Sequence, residues 1–243
     1  MSQEEEFTMI PKIIHYCWFG EGDKPRLANR CIASWKRICP DYTIIEWNET
    51  NFDLDQHPYL RWCHDQRKWA FLSDFARLLI VWQHGGIYFD TDVELLRRPD
   101  ELLGCEAFYG FENHANVATG LGFGAQPRQI TVGAMLERYT RMQPDQEGGY
   151  PLTACPALNT EALVFLGLKL DGMRQTVAGA EILPEEYLNP YDDPTGRLRV
   201  TDNTISVHWY SKSWMSKTTI LRSNLTRPIH RLFGVDCLRR FKK

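Results

Sequence analysis

The sequence predicts an α/β fold, and three observations carry that expectation. Ile10 to Phe19 is a nearly continuous apolar run closed by Gly20 and Gly22, the pattern of a buried strand. Residues 25–38 then repeat apolar positions at helical spacing through Leu27, Cys31, Trp35 and Ile38, with Pro40 as a stop. Thr43 to Trp47 returns to a short strand-like run. Strand, helix and strand in that order, separated by turn residues, build a sheet covered by helices.

The later elements follow the same logic. Residues 60–83 form the longest helical stretch, with Phe71, Phe75, Leu78 and Trp82 as its core stripe. His84-Gly85-Gly86 closes it, glycine serving as the C-terminal cap. Ile87 to Asp90 is the next strand. Residues 107–125 hold two more strands around glycine-rich turns, and Thr131 to Tyr139 reads as a helix. Thr153 to Lys169 begins as a loop through Pro156 and continues as a helix. Ile182-Leu183 and Ser206 to Tyr210 are late strands, with turn-rich sequence at 189–203 between them.

The whole chain has 243 residues, 43% of them hydrophobic, enough for one full core. A net charge of −3 gives no general case for nucleic-acid binding. The seven cysteines are odd in number and form no Cys-x-x-Cys, so free thiols in a reducing cytosol are expected rather than disulfides or a zinc site. The acidic start, Met-Ser-Gln-Glu-Glu-Glu, is the opposite of a secretory signal, and residues 1–8 are expected to be a disordered lead-in. No apolar run of about 18 residues exists to span a membrane.

Residues 222–243 differ in character. Arg222, Arg227, Arg231, Arg239, Arg240, Lys242 and Lys243 stand against one acid, Asp236, with Leu225, Ile229, Leu232 and Phe241 interleaved. Such a basic amphipathic segment suits the anionic inner face of a membrane, or equally a helix packed on the domain with a solvated rim. The expected organisation is therefore a lead-in at 1–8, one domain at 9–221 and this segment at 222–243. The expected location is cytoplasmic, with peripheral membrane contact through the segment.

Gly85 to Asp92 (Gly-Gly-Ile-Tyr-Phe-Asp-Thr-Asp) carries the clearest chemistry. In a strand, Asp90 and Asp92 point to one side. Ionised carboxylates at the end of an apolar run need a cation or strong hydrogen bonds, and a hard divalent metal is a natural partner. Upstream, Asp74 and Arg77 are three apart on the long helix, bordering its core stripe; an internal ion pair accounts for them by itself. Glycosyltransferases, nucleotidyltransferases and metal-dependent hydrolases all place paired acids at a strand end. Here the glycine pair precedes Asp90 by four positions and a helix runs straight into it, which disfavours the nucleotidyltransferase pattern. No phosphate-binding Gly-x-x-x-x-Gly-Lys, His-Glu-x-x-His or Gly-x-Ser-x-Gly occurs.

Three ordered motifs together resemble one family. Ile10-Pro11-Lys12-Ile13-Ile14-His15-Tyr16-Cys17-Trp18-Phe19-Gly20 is similar to its first strand. Ser73-Asp74-Phe75-Ala76-Arg77 followed by Gly85 to Asp92 resembles its sugar-binding region. His208-Trp209-Tyr210-Ser211-Lys212-Ser213-Trp214 resembles its closing histidine and Ser-Trp pair. The family is that of Asp-x-Asp glycosyltransferases containing the yeast initiating α-1,6-mannosyltransferase and bacterial capsular polysaccharide transferases, with a related core in clostridial glucosylating toxins. The likeness covers 10–103 and 205–214 and is patchy around Ala154-Cys155-Pro156, where the family often has glycine before the proline.

The resemblance implies a GT-A type single domain, a Rossmann-like mixed sheet flanked by helices. It implies a retaining hexosyltransferase using Mn²⁺ or Mg²⁺ and a UDP- or GDP-linked sugar, with a glycan or lipid-linked oligosaccharide acceptor in capsular or cell-surface polysaccharide synthesis. Carried over, Trp18 stacks on the nucleotide base, Asp74 and Arg77 hold the ribose or donor sugar, and Ser211 or Ser213 with Trp214 closes over the diphosphate. Asp92 and His208 ligate the metal. Asp90 binds it directly, through water, or binds the ribose instead. No side-chain nucleophile is implied, and Glu112, Asn113 and Asn116 receive no chemistry. The other readings are a catalytically silent nucleotide-sugar or carbohydrate binder on the same fold, and a toxin-like transferase acting on protein.

Overall fold

The computed structural model describes residues 9–211, 217–234 and 237. The expected lead-in at 1–8, Lys212, Ser213 and Trp214 of the closing motif, and Arg239, Arg240, Phe241, Lys242 and Lys243 lie outside the described residues.

Strands β1 (Ile13–Cys17), β2 (Thr43–Trp47), β3 (Gly86–Tyr88), β4 (Val93–Leu95), β5 (Ala107–Asn113), β6 (Asn116–Val117), β7 (Phe123–Ala125), β8 (Gln175–Val177) and β9 (Ala180–Leu183) make up most of the sheet structure. Small strands β10 (Tyr191–Asp192), β11 (Arg197–Leu198) and β12 (Ser206–His208) follow. The helices are α1 (Arg26–Ile38), α2 (Pro58–Asp65), α3 (Trp69–His84), α4 (Ile130–Thr140), α5 (Cys155–Phe165), α6 (Glu185–Leu188) and α7 (Lys217–Phe233). One eight-stranded sheet runs β2-β1-β3-β7-β5-β9-β8, with β6 attached to β5. It is mixed: β1 pairs in parallel with β2 and β3, while β7 is antiparallel to both β3 and β5. The expected α/β class holds, as a mixed sheet flanked by helices.

Side chains along the strands alternate between the two cores, as period two demands. Ile87 and Phe89 join a core with Trp35 and Ile32 of α1, whereas Tyr88 joins the core under α3 with Phe75, Leu78 and Val81. Asp90 continues that alternation onto the α3 side.

Three expectations change in detail. The helix expected over 60–83 is two helices, α2 and α3, broken at Gln66-Arg67-Lys68. Arg67 takes a left-handed φ of 53°, and the Lys68 N–H returns to the Cys63 carbonyl at 2.7 Å. Four polar residues, Asp65 to Lys68, interrupt the apolar period there, and the break lets α2 and α3 each bury its own stripe. Pro156 lies in the first turn of α5 rather than in a loop. Its missing N–H costs nothing there, because first-turn amides have no intrahelical partner. Finally, β3 ends at Tyr88, so Asp90 and Asp92 do not share a strand face. They sit in a turn closed by the Val93 N–H donating to the Asp90 carbonyl at 3.0 Å.

Candidate active site

That turn brings both acids to one place. One oxygen of Asp90, one of Asp92 and a ring nitrogen of His208 all lie within 4.8 Å of one another. His208 arrives through strand pairing: β12 runs antiparallel to β4, with His208 opposite Val93. The chain continues along the same edge. The Trp209 N–H donates to the Asp92 carbonyl at 2.9 Å, and the Ser211 N–H donates to Asp92 Oδ2 at 2.6 Å across 119 residues of sequence. His208 Nε2 is 3.1 Å from Asp92 Oδ1.

The electrostatics separate the two acids. Burial would raise Asp92, but His208 and the Ser211 N–H outweigh it and hold the carboxyl well below its usual range. Burial raises Asp90, and neighbouring Asp92 adds to this against the pull of Arg77. His208 is raised: burial opposes its charge, but Asp92, Asp90 and Glu112 together outweigh that. The set is oxygen-rich with one imidazole and a net negative charge, a donor set suited to a hard or borderline divalent ion.

Beside it lies a second polar cluster. Arg77 is 2% exposed. Its Nη2 is 2.5 Å from Asp74 Oδ1 and 3.3 Å from Asp90 Oδ1. The helical pair anticipated from sequence is therefore part of a bridge into the acid turn. Burial, partly offset by Arg77, pushes Asp74 up to about 6. Trp18 is half-buried just past the end of β1, its Nε1 donating to the Gly22 carbonyl at 2.6 Å and Lys24 lying 5.5 Å from its ring. Ser211 takes part through its backbone.

Several neighbours escape sequence reasoning. The Tyr88 hydroxyl donates to Asp90 Oδ1 at 3.0 Å. The i, i+2 spacing on one strand face was the available signal. The Cys155 thiol beside Asp74 lowers it slightly against burial. Glu112 is half-buried, raised by burial, and accepts from the Tyr210 hydroxyl at 3.4 Å. Gly120 packs so closely that a Cβ there would stand 2.6 Å from Asp90 Oδ2 and 3.0 Å from Arg77 Nη1. No local pattern marks that approach, because it is made between distant loops.

Fold and site together resemble a glycosyltransferase sugar-binding region. Residues 25–109, about a third of the chain, match the family described as glycosyltransferase sugar-binding region containing DXD motif. This stretch holds Asp74, Arg77, Asp90 and Asp92. Human alpha-1,4-N-acetylglucosaminyltransferase is 37% identical over 68 residues, which are 27% of this chain and 17% of that protein. Inositol phosphoceramide mannosyltransferase 3 of Schizosaccharomyces pombe is 29% identical over 101 residues, 39% of this chain and 27% of that protein. The chain thus spans well under a third of the length of either relative. The PaToxG glycosyltransferase superposes with a TM-score of 0.50 at 18% identity, covering 65% of this chain and 70% of that one, a likeness of fold.

Proposed function

We propose that the chain is a metal-dependent, retaining glycosyltransferase that moves a hexose from a UDP- or GDP-linked donor to a glycan or lipid-linked acceptor in capsular or other cell-surface polysaccharide synthesis. The observation that carries this reading is the meeting of Asp90, Asp92 and His208 beside the Asp74–Arg77 pair, four of these five residues lying within the matched sugar-binding region. The fission yeast relative is named for inositol phosphoceramide, a lipid, which supports a lipid-borne acceptor.

In this reading Asp92 and His208 are metal ligands, with Asp90 either a third ligand or a bridge to the donor. Mn²⁺ or Mg²⁺ bound there supplies positive charge to the diphosphate as the glycosidic bond breaks. Arg77 offers its free Nη1 hydrogens to sugar oxygens while Asp74 and Asp90 hold its plane. Trp18 presents an indole face for the nucleotide base, and such stacking contributes about 1–3 kcal/mol. Ser211 or Ser213, with Trp214, takes the diphosphate, as the resemblance assigns. No side chain is required as base in a front-face reaction, because the departing phosphate oxygen takes the acceptor proton.

A panel of sugar nucleotides assayed with Mn²⁺ for release of nucleoside diphosphate tests the reading. Chelator-sensitive release from one donor, with the anomeric configuration retained in the product by NMR, is the expected result. Donor binding without release across varied acceptors favours the silent binder. Inverted product removes the retaining assignment alone.

A further inference from the structure

Helix α7 exposes an apolar stripe. Leu221, Leu225, Ile229, Leu232 and Phe233 are 61%, 67%, 39%, 76% and 73% exposed. At about 100° per residue they occupy one arc of roughly 120° on the helix. Arg222 lies within the arc, near its Phe233 end, and Arg231 about 80° beyond its Leu221 end. The helix is fastened by its opposite side: Arg227 Nη2 is 2.5 Å from Asp193 Oδ1, and its Nε donates to the Asp193 carbonyl at 3.0 Å. Arg197 of the β10–β11 hairpin donates to the Arg231 carbonyl at 2.8 Å. The stripe thus faces away from the domain, and neither core cluster includes these residues.

We propose that α7 lies on an anionic lipid surface, its apolar stripe inserted among the acyl chains and its arginines reaching the headgroups. The charge selects this occupant. Residues 212–243 hold nine Lys and Arg against one acid, Asp236, in a chain whose net charge is −3. A wide apolar arc with arginines on the helix and no acid within it is the composition of an interfacial helix. No helix among the described residues is long and apolar enough to cross a membrane, so α7 lies along the surface. Pro228 weakens the helix in water, and burial of the stripe in lipid offsets that loss.

The placement also bears on the acceptor, a step that rests on the glycosyltransferase reading. Ser211 holds Asp92, and α7 begins six positions later, a chain span of at most about 20 Å. A bilayer carrying α7 therefore holds the acid site close to its headgroups, where a lipid-linked acceptor presents its sugar.

Flotation of the full chain with vesicles tests this directly. With equal parts phosphatidylcholine and phosphatidylglycerol the protein floats; with phosphatidylcholine alone, or in high salt, it stays below. Arg222→Gln combined with Arg231→Gln lowers the vesicle partition coefficient about thirtyfold, taking ~1 kcal/mol per cation at the surface. Leu225→Glu with Leu232→Glu abolishes flotation, and both pairs leave donor hydrolysis in solution unchanged because none of these residues reaches the acid site. Failure of the wild type to float overturns the proposal. So does flotation that both variants retain, or a vesicle-independent dimer that the Leu variants dissolve. Flotation is read without turnover, so it stands or falls separately from the enzymatic assignment.

Discussion

Arg77 on α3 and Asp90 beyond β3 stand 3.3 Å apart, and the same guanidinium nitrogen lies 2.5 Å from Asp74. One buried cation therefore ties the donor-side acid to the acid turn. Removing it leaves two half-buried carboxylates uncompensated, a loss at or below the scale of a broken buried pair, about 3–5 kcal/mol. Arg77→Ala is accordingly expected to lower the urea midpoint sharply. Arg77→Lys keeps the charge but loses the planar fork, so it should fold and still lose donor turnover. An Arg77→Ala protein as stable as wild type would remove the bridge from the account.

Asp92→Asn separates chemistry from folding. The amide oxygen still accepts from the Ser211 N–H, so the edge built by β4 and β12 survives. The negative charge is lost, and His208 loses its strongest stabilising partner. Turnover is expected to fall roughly 10²–10³-fold, the scale for losing one transition-state charge contact. Circular dichroism and Tm check the fold, and Mn²⁺ titration checks the site. Near-normal turnover in this variant would sink the metal assignment.

How much of this was legible follows from what each feature depends on. The Asp-x-Asp pair and the Asp74–Arg77 spacing were readable because residue type and local distance define them. Strands β1 and β2 were readable because each is five residues of nearly pure apolar or β-branched sequence. The strand expected over Ile87 to Asp90 stops at Tyr88, an end that no glycine or proline at Phe89 or Asp90 marks. The α2–α3 break hides for a related reason: a left-handed Arg67, where glycine or asparagine is usual, closes the end of α2 by local hydrogen bonds. His208 could be named from the resemblance, but its route to Asp92 depends on two three-residue strands, too short for periodicity to show. Gly120 acts through close approach between distant loops, which composition does not display.

His15 makes stability depend on pH. It is fully buried, with Nε2 2.9 Å from the Gly85 carbonyl and Nδ1 3.1 Å from the Trp47 Nε1–H. The carbonyl requires a proton on Nε2 and the indole requires none on Nδ1, so the ring is the neutral Nε2–H tautomer. Burial lowers it to about 4 from 6.5. Between those values the unfolded chain binds a proton that the folded chain does not, so stability rises with pH. The contribution is fully present above about 6.5 and lost as pH falls to about 4, on the order of 3 kcal/mol. Chemical unfolding from pH 4 to 8 should show this slope in the wild type and a flatter one in His15→Gln. Parallel slopes would mean that other groups carry the acid sensitivity.

Gly120 offers the sharpest test of the site's packing. Its backbone is not in the left-handed region, unlike Gly122 at φ 117°, so alanine meets no conformational penalty there. The obstacle is space: the new Cβ would fall 2.6 Å from Asp90 Oδ2 and 3.0 Å from Arg77 Nη1. Asp90 has the freer end, since its side chain is 26% exposed while that of Arg77 is 3% exposed. The carboxylate should therefore move and the guanidinium stay. A displaced Asp90 loses its bond from Tyr88 and its place beside Asp92 and His208. Gly120→Ala is expected to weaken Mn²⁺ binding about 10–100-fold, the scale for disturbing a ligand's support, with Tm falling by only a few degrees. Gly122→Ala is the contrast: positive φ and a Cβ 2.6 Å from Phe89 Cε1 strain backbone and core together, so stability falls with the activity. Wild-type metal affinity in Gly120→Ala would show that Asp90 is not a ligand and would leave Asp92 and His208 as the protein's grip on the ion.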